Sequence, residues 1–303
     1  MFVMLVGCPG SGKSTWAQKF SERKLKRGES VCIISSDAIR FELWGDERIQ
    51  REPTKVFELA HQRIIEAMGA GYDYVIFDAT NIQRRHRVAL MDKIKKFNDE
   101  YRCVVFAEPY EELCRRNRQR ARSVPEEVIW RMITQFDIPL HSEGYDHIGV
   151  VNEKQLDLSE YLDRMRDFNQ DNPHHTRDLL DHCFEATNYI YDHQDCKDRF
   201  SLAARAAFIH DIGKPFVKTY TNAKGEPSEY AHYYGHEKVG GYLTLMFNTA
   251  WSPAEKLAIA QLVCYHMIPY TFKTEAARRR WEERLGSIYD AIMLIHEADE
   301  SAH

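Results

Sequence analysis

Long apolar runs are missing from this chain. No stretch approaches the 18 consecutive apolar residues that a membrane helix needs, so no membrane span is expected. The N-terminus shows neither a basic-plus-apolar region nor an A-x-A-like site, so secretory targeting is not expected either. Cysteine is sparse, with seven in 303 residues, an odd number without any C-x-x-C pair. That excludes a disulfide framework or a four-thiolate zinc site and leads to an expectation of reduced thiols and a cytoplasmic location. A strong basic excess is also missing, since the net charge is −5. Residues 1–152 hold 24 Lys+Arg against 22 Asp+Glu, and residues 153–303 hold 17 against 24. A general nucleic-acid coat, whose footprint is basic, is thereby excluded. Internal repeats and low-complexity tracts are absent. Histidine is unevenly spread: twelve of the 14 lie at or after His141, which marks the C-terminal half as the metal half.

At about 100–200 residues per domain, the length fits two domains. Short apolar strands alternate with helical stretches in the first half. "FVMLV", "VCIIS", "YVIFD", "CVVFA" and "HIGVV" are the strands, and 12–27, 53–69, 84–97, 110–119 and 125–136 the helices. This is the pattern of an α/β parallel sheet with helices on both faces. After Glu153 no strand is expected. Apolar residues recur at helical spacing in 158–168, 177–192, 200–212, 236–248, 253–267 and 281–298, which predicts an all-α half. The expected domains are 1–152 and 153–303, with a long functional loop or flap at 214–235.

"VGCPGSGKST" (Val6–Thr15) follows a strand and opens a helix, and it fits G-x-x-x-x-G-K-[ST]. Gly7, Gly10 and Gly12 let backbone N–H groups turn toward phosphate, and the helix N-terminus adds its dipole. Lys13 is expected to reach the β/γ-phosphates of ATP, and Ser14, followed by Thr15, to hold Mg²⁺. Asp37 lies just past the second strand, with Arg40 one helical turn on. The pair suits a base for an acceptor hydroxyl and a grip for a neighbouring phosphate; it reads equally well as a helix cap with Arg40 solvated. Asp78 ends the third strand, where open α/β sheets bind ligands, and it too has a capping alternative. "RRNRQRARSVP" is dense in arginine and reads either as a lid over phosphates or as a solvated face.

Taken together, "GCPGSGKSTWA", "SDAIR", "FDATN" and "RN…R…VP" resemble the phage-type polynucleotide 5′-kinase family over about residues 1–138. The resemblance implies transfer of the ATP γ-phosphate to a 5′-hydroxyl of DNA or RNA. It implies that Lys13 and Ser14 serve the P-loop, that Asp37 is the general base, that Arg40 contacts the acceptor's 3′-phosphate, and that Asp78 is the strand-end aspartate. Arg120 matches the lid arginine, with Arg122 as its rival, because the lid is one residue shorter than the family pattern.

In the second half, "AAFIHDIGKP" places His210 and Asp211 after an apolar helical stripe. A carboxylate buried there is expected to have a cation beside it, and a metal is the proposed source. His182, His236, His266 and Asp299 are further ligand types on expected helices. His and carboxylate donors suit a divalent transition metal such as Mn²⁺, Ni²⁺, Co²⁺, Fe or Zn²⁺. The order H…HD…H…H…D resembles the HD-domain phosphohydrolase superfamily over roughly 165–303. That resemblance implies a site of His182, His210, Asp211 and Asp299, with His236 and His266 completing a two-metal cage. It leaves His175 and His232 as alternatives to His182 and His236. Lys214, four residues after His210, is placed to neutralise a phosphate on the metals.

The joint expectation is a bifunctional enzyme that heals nucleic-acid ends, with RNA or DNA ends and a downstream RNA ligase as partners. The alternative is a small-molecule or nucleoside kinase fused to an HD nucleotidase. A third reading is a P-loop switch with a metal-stabilised interaction module.

Overall fold

The computed structural model describes residues 1–49, 51–97, 99–120, 123–172, 178–193 and 199–302, with backbone alone at 199–201. The chain divides into two compact units. Met1–Met132 and Pro139–Glu153 form the first; Ile133–Ile138 and Lys154–His303 form the second.

The first unit runs β1 (Phe2–Gly7), α1 (Lys13–Leu25), β2 (Val31–Ser35), α2 (Ser36–Trp44), α3 (Pro53–Gly69), β3 (Tyr74–Asp78), α4 (Arg84–Ile94), β4 (Tyr101–Phe106), α5 (Tyr110–Arg118), α6 (Glu126–Ile133) and β5 (His147–Val151). The five strands form one parallel sheet in the order β2-β3-β1-β4-β5. Central strand β1 is buried on both faces, which is why it reads as an unbroken apolar run. Phe2, Val3, Met4, Leu5 and Val6 are each at most 1% exposed, and burial of such a side chain contributes about 1.5–3 kcal/mol. This anchors the carboxyl edge of the sheet, from which the loops of the site emerge.

One strut of that edge comes from the basic run Arg84, Arg85 and Arg87 at the start of α4. Arg87 is not a surface charge: it is fully buried and grips Glu143 with two bonds of 2.8 Å. Its Nη1 also donates to the Asn81 carbonyl at 2.9 Å, and Asn81 donates to Leu5 O at 2.8 Å. The loop after β3 is thereby tied to the core of the sheet.

The second unit runs β6 (Leu156–Asp157), α7 (Leu158–Arg166), α8 (Leu179–Asp192), α9 (Arg199–Ile209), α10 (Lys214–Val217), β7 (Thr219–Thr221), β8 (Pro227–His232), α11 (His236–Thr244), β9 (Phe247–Asn248), α12 (Pro253–Tyr265), α13 (Glu275–Leu285) and α14 (Tyr289–Ser301). Helices α8, α9, α12 and α14 pack on one another, and α11 lies along α12. Starts are marked by side-chain caps: Asp178 for α8, Thr274 for α13, and a Ser252/Glu255 capping box with Pro253 for α12. The expectation of a purely helical half is corrected. Residues 219–232 form an antiparallel hairpin inside the expected flap, and β6 pairs with β9 in parallel. The expected helix 281–298 is two helices, because the chain turns at Gly286 (φ 58°). Among the described residues, no helix is long and apolar enough to cross a membrane.

Ile133–Ile138 belongs with the second unit for specific reasons. Tyr265 donates its hydroxyl to Ile138 O at 2.8 Å, and Lys238 Nζ lies 3.0 Å from Asp137. The Phe136 ring packs 5.1 Å from that of Tyr242.

Candidate functional site

In the first unit, the β1–α1 loop bends through left-handed Gly10 (φ 83°) and Gly12 (φ 93°). A side chain at Gly10 would also run into Leu113 O at 2.9 Å. Lys13 is buried and curls over the loop, donating to Gly7 O and Cys8 O at 2.8 Å each and to Ser11 Oγ at 3.3 Å. Burial lowers its pKa, with the Asp78 carboxylate pulling the other way. Ser14 and Thr15 line the same cavity, of about 940 Å³.

Asp37, Arg40, Asp78 and Arg120 line that cavity too. Ser35 is the residue that caps α2, accepting from Ala38 N, so Asp37 sits inside the first helical turn. Arg40 Nη1 donates to Asp37 Oδ1 at 2.8 Å, and Arg120 Nη2 stands 3.9 Å from Asp37 Oδ2. One carboxylate thus faces two guanidinium groups beside a phosphate-binding loop. The remaining arginines of the stretch differ in character. Arg115 and Arg116 are held by Glu112, and Arg118 by Glu126. Arg122 lies outside the described residues.

In the second unit, six expected ligands meet. His182 comes from α8, Asp299 from α14, and His236 from the first position of α11. His266 caps the end of α12, and His210-Asp211 follow the end of α9. His182 Nε2 is 2.9 Å from Asp299 Oδ1, and His210 Nε2 is 3.3 Å from the same oxygen. Asp211 reaches both ways: its Oδ2 is 3.4 Å from His210 Nε2, and its Oδ1 is 3.1 Å from His236 Nε2 and 3.9 Å from His266 Nε2. His182–His210–Asp299 and Asp211–His236–His266 are each compact enough to hold a metal ion, as is the triplet Cys183–His210–Asp211. His175 lies outside the described residues, and His232 bonds Ser228 Oγ in the hairpin instead.

The ring nitrogens are arranged for this. Nδ1 of His210, His236 and His266 lies 2.6–2.8 Å from a backbone carbonyl, and that of His182 3.4 Å from Ala302 O. A carbonyl only accepts, so each ring donates from Nδ1 and turns Nε2 inward, the orientation that backbone carbonyls impose on metal-binding histidines. His210 Nε2 is buried with no hydrogen-bond partner. Burial, followed by the His210 and His236 rings, pushes His266 down to about 3. Burial alone would lower His210 as well, but Cys183 and the Asp211 carboxylate outweigh it and hold the ring well above its usual value. Burial alone would raise both acids; Lys214 and His210 instead hold Asp211 well below the carboxylate range, and His182 and His210 do so for Asp299.

Two features escaped sequence reasoning. Lys214 Nζ sits 2.5 Å from Asp211 Oδ2 and 3.0 Å from Gln170 Oε1, so an ammonium already offsets part of the cost of burying Asp211. The spacing HD-x-x-K is a legible signal, but by itself it reads only as a phosphate contact. The second feature is the glycines. A Cβ on Gly213 would stand 2.1 Å from His236 O, and one on Gly241 2.7 Å from Cys264 Cβ. These bare backbones let α9's end, α11 and α12 close around the cluster. Gly213→Ala is therefore expected to destabilise the protein by about 1–3 kcal/mol or more and to displace His236. Thermal melts read the first effect and Mn²⁺ titration the second; an unchanged melt and unchanged titration would contradict it.

Residues 2–139 match the family described as AAA domain. The chain is 29% identical over 176 residues to the L-seryl-tRNA(Sec) kinase of Methanococcus maripaludis, covering 56% of this chain and 66% of that protein. It thus spans just under two thirds of that relative's length. Among solved structures, a chain of the Pnkp1/Rnl/Hen1 RNA repair complex is 23% identical over 44% of this chain and 43% of its own, with a TM-score of 0.37. The Mycobacterium tuberculosis APS kinase CysC in complex with AMPPNP and APS is 20% identical, over 38% and 67%, with a TM-score of 0.34. The family match, the parallel sheet and this loop make the first unit similar to ATP-binding P-loop kinase domains.

Proposed function

We propose that the P-loop kinase domain phosphorylates the 5′-hydroxyl of a polynucleotide end, and that the second unit is an HD-type phosphohydrolase acting on 3′-phosphate or 2′,3′-cyclic phosphate ends. The observation that carries the kinase half is the Asp37–Arg40–Arg120 constellation in the cavity of the phosphate loop. The acceptor hydroxyl gives its proton to Asp37 as its oxygen bonds the γ-phosphorus, and the bond to the β–γ bridging oxygen breaks to release ADP. Lys13 and Arg120 balance the charge on the transferring group, and Arg40 grips the acceptor's own phosphate. Ser14 would hold Mg²⁺, which screens the triphosphate when bound.

In the second unit, His182, His210, Asp211, His236, His266 and Asp299 would hold one or two divalent transition metals, which when bound acidify a water and clamp phosphoryl oxygens. The inward Nε2 atoms and the partnerless His210 Nε2 support that fit. Lys214 keeps an ammonium at the edge of the cluster, where a phosphate would approach. A 5′-hydroxyl and a 2′,3′-cyclic phosphate are the two products of one RNA cleavage chemistry, so a single chain treating both prepares RNA for a ligase. Incubation with 5′-OH and 2′,3′-cyclic-phosphate oligonucleotides tests both halves; no change at either end would overturn the reading.

The likeness to a seryl-tRNA(Sec) kinase favours a second reading, a kinase for another small hydroxyl beside an HD nucleotidase. Arg40→Ala separates the two. For a polynucleotide or 3′-nucleotide acceptor it is expected to lower kcat/KM about 10- to 100-fold, the loss of one charged hydrogen bond. A nucleoside without a 3′-phosphate should be nearly indifferent. Equal losses on both acceptors would remove Arg40 from acceptor binding and favour the second reading.

A further inference from the structure

Among the described residues, Tyr270 reaches the candidate metal cluster from a solvent-facing position. Three residues after His266 the chain makes a 3₁₀ turn, Pro269–Thr271, closed by Ile268 N–Tyr265 O, Thr271 N–Ile268 O and Phe272 N–Pro269 O bonds. The turn carries Tyr270, which is 43% exposed, yet its hydroxyl donates to Asp299 Oδ2 at 2.8 Å. Its ring stands edge-on to His296 with centroids 4.4 Å apart and an interplanar angle of 86°. His296 lies one turn of α14 before Asp299, so the phenol is held against the same helix that supplies the ligand.

A carboxylate on a helix can rotate about its last bond and offer either oxygen, or both. Here Oδ2 accepts from Tyr270, while Oδ1 takes His182 and faces His210. We propose that Tyr270 is a positioning residue for the metal cluster, fixing Asp299 so that one oxygen faces His182 and His210, and tying the end of α12, which carries His266, to α14. The inference rests on the reading of the six side chains as metal ligands. Partners of this kind fix ligand geometry, and their loss lowers metal affinity by about 10- to 100-fold.

The test uses the full chain and Mn²⁺ alone, with Tyr270→Phe, which keeps the ring against His296 and removes only the hydroxyl. Isothermal titration of wild type, Tyr270→Phe and Asp299→Ala is paired with melts of the metal-free proteins. The inference expects Asp299→Ala to lose the binding, and Tyr270→Phe to weaken it about 10- to 100-fold with an unchanged metal-free melt. Wild-type affinity in Tyr270→Phe, with binding lost in Asp299→Ala, would overturn the inference and leave the metal reading standing. Weakened binding together with a lowered metal-free melt would make Tyr270 a packing residue and overturn it too. If wild type takes up no Mn²⁺, or Asp299→Ala binds as well as wild type, the metal reading itself fails and the inference falls with it.

Discussion

Replacing Lys13 by alanine is expected to lower phosphoryl transfer from ATP by on the order of 10²–10³-fold or more, with hydrolysis at the other site within a few-fold of wild type. Phosphoryl transfer leaves little covalent work to the protein, so one lost positive clamp on the transferring group removes most of what the site supplies. Lys13 has a second role that sharpens the experiment. Its ammonium holds three oxygens of its own loop, Gly7 O, Cys8 O and Ser11 Oγ. Lys13→Met keeps the buried apolar stem and deletes only the charge. Loss of transfer in both variants, with the melt preserved in Lys13→Met, assigns the effect to charge. Transfer near the wild-type rate in either would end the kinase assignment of Lys13. Asp37→Ala extends the test to the base: it should depress transfer to the 5′-hydroxyl while ATP binding persists.

Asp211→Asn is expected to remove bound transition metal and 3′-end hydrolysis together, while 5′-phosphorylation stays within a few-fold. Asp211 is shared by both triplets, with one oxygen toward His210 and the other toward His236 and His266. Losing it should therefore empty the whole cage and not half of it. Asparagine loses the charge as alanine does, but it keeps the volume of Asp211 and an amide oxygen that still accepts from the buried Lys214 ammonium, so less of the local packing is lost. His236→Ala and His266→Ala ask how many metals are held. If there are two, each change lowers metal content by about one per chain and cuts hydrolysis strongly. If there is one, metal content stays unaltered. Elemental analysis decides. Full metal content and full hydrolysis in Asp211→Asn would overturn the site.

The parallel sheet was legible because each strand is a short apolar run between helical stretches, as "FVMLV" and "YVIFD" show. The P-loop was legible because its glycines and lysine fall at fixed spacing. Tertiary partnerships were not. Nothing in "RRHR" says that Arg87 will be buried on Glu143, 56 residues away. The hairpin at 219–232 alternates polar and aromatic residues too briefly to stand out from a loop, and Gly286 alone does not announce that a periodic stretch is two helices. The ligand types could be picked out by composition and order, but not what orients them. Carbonyls at Ala207, Tyr233 and Val263 have no residue identity to read, and Tyr270 reaches Asp299 across 29 positions.

The allegiance of Ile133–Ile138 means that the chain passes between its two compact units three times, near 132, 138 and 153. Modularity in space is therefore not modularity along the gene. A chain starting at Lys154 would carry all six candidate metal ligands, yet the Tyr265 hydroxyl would lack its acceptor and Lys238 its carboxylate. The helix that ends in His266 would be the one left without its brace. Proteolytic trimming at the apparent boundary would thus separate the second unit from a strip of its own interior.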